Sequence, residues 1–236
     1  DFIGRSYSSF HLVYNMKEEL NRNGFEEIFE QDRWNLKAGG KYYVARNESS
    51  IIAFKIPGED FSGFNIVSSH SDFPTFKLKE NTEICVEKKY TKLNVENYGG
   101  MLYAPWFDRP LSIAGRLLVK DGKKIVTKLV NVDRDLVMIV NLAPHMNREV
   151  NDGYKYNAQV DMQPLYGGKD AHGSLMELIA KSAGVKAEDI LGNDLYLYNR
   201  MEGTLWGAEE EFVSAPKLDD AQCAFASLKG FLAGES

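Results

Sequence analysis

From Ser9 onward the apolar residues Phe10, Val13, Met16 and Leu20 recur every three to four positions, the spacing of one helix face, and Gly24 offers a stop. The pattern predicts a helix capped by Ser9 and running to about Asn23. His11 falls in its first turn and reads as a packed or solvated side chain rather than a ligand. The period then shortens. Residues 34–38 and 41–46 flank Gly39-Gly40 and read as a hairpin, and residues 51–56 and 64–69 continue as strands on either side of the turn-rich Pro57-Gly58-Glu59-Asp60.

From about residue 82 the texture is strand and turn. Residues 83–93, 111–120, 125–130 and 136–140 read as strands, with Asp121-Gly122 as a turn. In residues 194–199, Leu195 and Leu197 alternate with Tyr196 and Tyr198. Ser174 and Glu177 form a capping-box pattern that opens a helix with Leu175, Leu178 and Ile179 inward and Gly184 closing it. Trp106, Phe107, Asp108 and Arg109 read as a structural cluster, the arginine packed on the tryptophan and paired with the aspartate. Leu218-Asp219-Asp220 precedes a helical run with Phe225, Leu228, Phe231 and Leu232 on one face. The pattern predicts an α/β protein with a β-rich insert: a first segment 1–81, an insert 82–203, and a return to the first domain over 204–236.

Composition narrows the function more than the fold. The 236 residues allow one or two domains, and 44% hydrophobic with 12% aromatic content is ample for a packed core. A net charge of −6 with no basic block gives no reason to expect nucleic acid or an anionic membrane as partner. No apolar run approaches the ~20 residues that span a bilayer. The start at Asp1 carries no charged-then-apolar leader, and two cysteines, Cys85 and Cys223, make no disulfide framework. The expectation is a cytoplasmic protein.

The chemistry concentrates in FNIVSSHSDFPTFKLK, residues 64–79. A strand over 65–69, with Ile66 and Val67 as its apolar content, would deliver His70 and Asp72 at its end. Side chains two apart on an extended chain point the same way, so the carboxylate can hold the imidazole's second nitrogen while the first binds a metal. Pro74 would stop the strand. Asp219 reads either as a helix cap or as a ligand. His145, in APHMNRE, reads as a loop histidine or a functional one, and His172 as a surface residue. Glu209, Glu210 and Glu211 read as a solvated acidic turn.

Seven segments stand in order: FIGRSYSSFHLVYN, LKAGGKYYVARNESSIIAF, SSHSDFPTFKLK, YGGMLYAPWFDRPLSIAGR, NLAPHMNREVN, DLYLYN and EFVSAPKLDDAQCAFASLKGFL. Together they resemble the aspartyl aminopeptidases, the M18 type of dinuclear zinc aminopeptidases. The resemblance implies a zinc-peptidase-like catalytic α/β domain with an inserted β-rich oligomerisation domain, and two Zn2+ ions per active site. It implies His70 as a metal ligand and Asp219 as the carboxylate bridging both ions. Asp72 would be a catalytic-site residue. His145 would be either a zinc ligand or a catalytic, substrate-touching residue that reaches a neighbouring subunit's site. The Asp219–Asp220 bond would be cis. Removal of single N-terminal residues, acidic ones above all, from peptides by metal-activated water is the implied activity. The implied partners are peptide substrates and a homo-oligomer, a dodecamer built from dimers. The chain would be the first part of a longer enzyme, with the catalytic Glu and the other ligands beyond residue 236. Ser71, Phe73, Glu80 and Pro110 depart from the family's commoner residues, and Phe73 is expected to shape the wall of the site. A relative with neutral-residue preference, or a non-catalytic oligomer-forming protein of the same fold, stays open as an alternative.

Overall fold

The computed structural model describes residues 2–58 and 60–234. The chain runs α1 (Phe2–Arg5), α2 (Ser9–Arg22), β1 (Glu26–Glu27), β2 (Lys41–Arg46), β3 (Ser50–Lys55), β4 (Thr75–Val86), β5 (Tyr90–Tyr98), β6 (Leu111–Asp121), β7 (Lys124–Asn131) and β8 (Leu165–Gly168). It continues through α3 (Leu175–Ala183), β9 (Ile190–Asn199), β10 (Thr204–Trp206), β11 (Phe212–Ser214) and α4 (Leu218–Ala233). Two compact units result, one from Asp1–Phe73 with Val213–Ser236, the other Pro74–Phe212. The breaks expected at 81/82 and 203/204 lie elsewhere: the first falls inside β4, a single strand from Thr75 to Val86. The turn expected around Pro57 includes Glu59, which lies outside the described residues.

In the first unit α2 is capped by Ser8, whose Oγ accepts from the His11 N–H, and it ends at Asn23 with Gly24 left-handed after it (φ 78°). Phe10, Val13 and Leu20 are buried as the spacing predicts, with Leu12 beside them. The sheet has the order β1-β2-β3, with β1 parallel and β3 antiparallel to β2. Tyr42, Tyr43 and Val44 are buried in succession, as a central strand covered on both faces requires. Leu20, Phe25, Tyr43 and Leu228 form one core cluster, and Leu12, Phe73, Ala221 and Ala224 form another. Phe73 is therefore core, not the wall of a site. On α4 the small Ala221 and Ala224 face inward with Leu228, and Phe225 is left 37% exposed against the Phe2 ring. Leu228, Phe231 and Leu232 of the expected face pack inward, Ala221 and Ala224 extend that face by a turn, and Phe225 alone falls outside it.

Three strand expectations are corrected here and in the second unit. Residues 34–38 form no strand; Gly40 instead pairs with Ile56 beyond the ends of β2 and β3, and the hairpin turns at Asn47 and Glu48 (φ 52° and 56°). Residues 64–69 are likewise irregular, with Ile66 87% exposed. An apolar pair makes a strand only where a neighbour completes its ladder, and among the described residues none does. The strand expected over 83–93 is two strands, β4 and β5, which turn at Glu87 and Lys88 with φ of 49° and 55°. Neither turn carries a Gly, so no local signal marks either one.

The second unit is a six-stranded sheet of order β7-β6-β9-β4-β5-β8, antiparallel throughout. Phe76, Leu93, Leu111, Ile113, Leu117, Leu195 and Leu197 fill its core, with Leu175 and Ile179 of α3 packed on them. Residues 136–140 touch it only by isolated bridges, such as Val137 with Leu111. Gly115 is required where β6 crosses β9: a Cβ there would collide with the Asp194 carbonyl oxygen. Ser174 does not cap α3 with its side chain. Glu83 of β4 does so, accepting from the Leu175 N–H at 2.8 Å and from the Gly173 N–H. Arg109 donates to Met201 Sδ at 2.9 Å, and Asp108 accepts from the Asn141 N–H, so the expected Arg109–Asp108 pair is replaced by two separate contacts.

Candidate metal centre

His70, Asp72, Asp219 and Asp220 come together within the first unit. Residues 61–70 deliver His70 as irregular, exposed chain, and α4 delivers the two aspartates from its first turn. That turn is not regular helix: Asp219 and Asp220 have φ/ψ of −90°/107° and −120°/20°, and the bond between them is cis. Lys217 before them is left-handed (φ 67°), its amine over the rings of Tyr7 and Phe73. Burial pulls that amine down to about 8.

The His70 ring is oriented from both sides. Its Nδ1 lies 3.0 Å from the Asp72 carbonyl oxygen and 3.1 Å from Asp72 Oδ1, both acceptors, so the proton belongs on Nδ1. The lone pair of Nε2 then faces Asp219 Oδ1 at 3.2 Å and Asp220 Oδ2 at 3.6 Å. Partial burial lowers the imidazole's affinity for a second proton. The Asp72 bond and the charges of Asp220 and Asp72 outweigh it and hold the pKa above its ordinary value. An electron pair aimed at carboxylates needs a proton or a cation between them.

Cation geometry fits. Two ligands about 2.1 Å from a tetrahedral zinc lie ~3.4 Å from each other, close to the 3.2 Å between Nε2 and Asp219 Oδ1. Among the described residues, His70, Asp219 and Asp220 are the one group of three such side chains with ligand atoms within 4.8 Å of one another. Mixed imidazole and carboxylate donors suit zinc.

Asp220 sits differently from Asp219. Its side chain is 12% exposed against 82% for Asp219. Its Oδ2 accepts from the His70 backbone N–H at 3.0 Å. The Cys223 thiol bond, with help from the His70 N–H and charge and the Cys223 N–H, holds Asp220 below the usual carboxylate range against its partial burial. The same bond pushes the Cys223 thiol up. Sequence reasoning passed over Cys223. Its position three residues after Asp220, one helical turn on, was the available signal.

His145 belongs to the second unit, exposed in a turn-rich stretch. His172 and Glu209 to Glu211 are exposed, and Glu211 accepts from the Glu209 N–H as a local turn.

Comparison with known proteins agrees with this picture. The family model described as aminopeptidase I zinc metalloprotease (M18) matches residues 2–236. A probable M18 family aminopeptidase 2 of Clostridium acetobutylicum is 45% identical over 98% of this chain and 55% of its own length. Aspartyl aminopeptidase 4 of Saccharomyces cerevisiae is 35% identical over 97% of this chain and 53% of its own length. Among solved structures, the S. cerevisiae mApe1 dodecamer superposes with a TM-score of 0.83 at 29% identity, covering 98% of this chain and 54% of that one. The chain thus spans about half the length of the relatives it matches.

Proposed function

The chain belongs to the M18 family of zinc metalloproteases, and from that premise we propose that it forms part of a metalloaminopeptidase removing single N-terminal residues, acidic ones by preference, from peptides. The observation that carries the reading is the His70 ring, held through Nδ1 by Asp72 so that Nε2 faces Asp219 Oδ1 at 3.2 Å. The acidic preference draws its support from the yeast relative's description as an aspartyl aminopeptidase.

In this reading His70 and Asp219 would hold zinc, the Asp219 carboxylate offering its two oxygens as donors. Bound zinc supplies Lewis acidity toward a scissile carbonyl and lowers the pKa of a coordinated water. Asp72 fixes the His70 tautomer and raises its basicity, which is the work of a partner behind a ligating imidazole. The exposed Asp219 side chain leaves room for substrate and for further donors. Those donors are needed, because a catalytic zinc takes three protein ligands. Glu209, Glu210 and Glu211 are turn residues in the second unit and serve neither as ligands nor as the base. His145 is the candidate for contact with substrate in a neighbouring subunit's site.

For assembly, the reading is a homo-oligomer joined through the β-rich second unit, and the solved yeast relative is described as a dodecamer. Among the described residues no helix is long and apolar enough to cross a membrane. The two cysteines are free and exposed, which suits a reducing, cytoplasmic setting.

The test uses the full-length protein. Purified with its metal, it should carry zinc and cleave an aspartyl or glutamyl chromogenic substrate faster than a leucyl one, with activity lost to chelator and restored by zinc. Asp219→Asn should abolish both zinc uptake and cleavage. A protein that cleaves none of these substrates with zinc bound would leave the non-catalytic alternative standing. Faster cleavage of the leucyl substrate would overturn the acidic preference alone.

A further inference from the structure

We propose that Asp108 and Gln163 are positioning residues that hold the two roots of an arm, residues 142–153, and so set the place of His145. The inference rests on the reading of His145 as the group that touches substrate in a neighbouring subunit's site. Within the second unit residues 142–153 form no helix or strand, and His145 and most of its neighbours are exposed. Their backbone bonds include local turns, such as Met146 N–H to the Ala143 carbonyl at 2.8 Å and Asp152 N–H to that of Glu149 at 2.9 Å. Such turns shape the arm without fixing where it points. Its direction is set where it leaves the sheet and where it returns.

At the outgoing root Asp108 grips the chain on both sides of Val140. Its N–H donates to the Ile139 carbonyl at 2.9 Å, and its Oδ1 accepts from the Asn141 N–H at 3.0 Å. Asp108 holds φ at 56° to do so, a left-handed conformation that aspartate tolerates better than most residues. At the returning root Gln163, only 4% exposed, stands in for a strand. Next to the bond from the Leu93 N–H to the Pro164 carbonyl, its side-chain amide continues the β5 ladder. Its Oε1 accepts from the Val95 N–H at 2.7 Å, and its Nε2 donates to the Val95 carbonyl at 3.1 Å. Nε2 also donates to the Ala158 carbonyl at 3.2 Å, so one buried amide, fully bonded, ties the returning chain to the sheet. The Tyr156 ring lies 5.2 Å from that of Phe107, the residue before Asp108, and joins the two roots. These groups act on His145 through the backbone that carries it.

The experiment takes the full-length protein, purified with its metal, and the chromogenic aminoacyl substrate it cleaves fastest. It measures kcat and KM for wild type, Asp108→Gly, Asp108→Asn, Gln163→Met and His145→Ala, and for Asp108→Gly and Gln163→Met each combined with His145→Ala. Light scattering checks that each variant keeps the wild-type oligomer size. Asp108→Gly suits the positive φ and removes the carboxylate, whereas Asp108→Asn keeps an oxygen to accept from Asn141. Asp108→Gly and Gln163→Met should each lower kcat/KM by about 10-fold or more without exceeding the loss in His145→Ala, since misplacing a group by about 1 Å costs up to about 10²-fold. Asp108→Asn should return to near the wild-type value. In the His145→Ala background both substitutions should change kcat/KM by less than about 2-fold, because a group already removed cannot be misplaced. A purely structural role would cost the same in both backgrounds. That result overturns the assignment, as do wild-type kinetics in Asp108→Gly and Gln163→Met. Should Gln163→Met lose the wild-type oligomer, the two variants of the exposed Asp108 decide alone. A protein that cleaves no such substrate, or a His145→Ala variant with wild-type kinetics, removes the reading of His145 and this inference with it.

Discussion

The half-buried histidine of α2, His11, makes the stability of the first unit depend on pH. His11 is packed with its Nδ1 2.9 Å from Ser8 Oγ and its ring edge-on to Tyr7 at 5.4 Å. Burial, and secondarily the Lys217 charge, lower its pKa from 6.5 to about 4. The folded-state pKa is depressed, so this contribution is fully present above pH 6.5 and is lost as pH falls toward 4. At 1.36 kcal/mol per unit, the loss is about 2 kcal/mol at about pH 5 and about 3 kcal/mol at about pH 4. His11→Gln keeps a side chain able to bond Ser8 and does not titrate. Urea unfolding of both proteins, followed by circular dichroism at about pH 7.5 and about pH 5, isolates the effect, because His70, His145 and His172 are common to the two. Wild type should lose about 2 kcal/mol more than the variant over that interval. Parallel losses, agreeing within about 0.5 kcal/mol, would show that the imidazole is not desolvated as its packing implies.

Gly115→Ala should destabilise the second unit by about 3 kcal/mol or more, because the new methyl meets backbone of β9, with Leu195 Cα at 3.0 Å, rather than a side chain that can move; denaturant unfolding checks it, and a change under about 1 kcal/mol would mean the β6–β9 crossing is looser than described. Glu83→Ala should cost about 1–2 kcal/mol by freeing the Leu175 and Gly173 N–H groups at the start of α3, with Glu83→Gln milder; faster hydrogen exchange at those amides is the local readout, and unchanged exchange would refute the cap. Residues 1–236 alone should hold zinc weakly and show no peptidase activity, since His70 and Asp219 are fewer donors than a catalytic zinc needs; chelator-sensitive steady hydrolysis by that polypeptide would contradict this. Static light scattering of the full-length protein at micromolar concentration should report an oligomer, and a stable monomer would count against the second unit as an assembly surface.

The elements legible in the sequence were those whose signal is local. The spacing of Phe10, Val13 and Leu20 is enough to define α2, because a helix satisfies its own backbone and needs a neighbour only for one face. Gly184 ends α3 left-handed, as a residue without a Cβ can. His70 and Asp72 were readable as a pair because two residues is a fixed distance, and the Asp72 bond to Nδ1 followed without the strand expected to deliver it. The turns at Asn47-Glu48 and Glu87-Lys88 were not legible, since ordinary residues are held there at positive φ by the strands on either side. Residues 64–69 show the same limit from the other direction: their apolar pair implies a strand, yet a strand exists only through a ladder. Glu83 replaces Ser174 as the cap of α3 from more than ninety positions away, and the His70 N–H settles on Asp220 across 150. Local spacing fixes which groups can act within one element. Which carboxylate is held by donors and which is left exposed beside the imidazole depends on groups distant in sequence, and only the folded chain brings those within hydrogen-bonding reach.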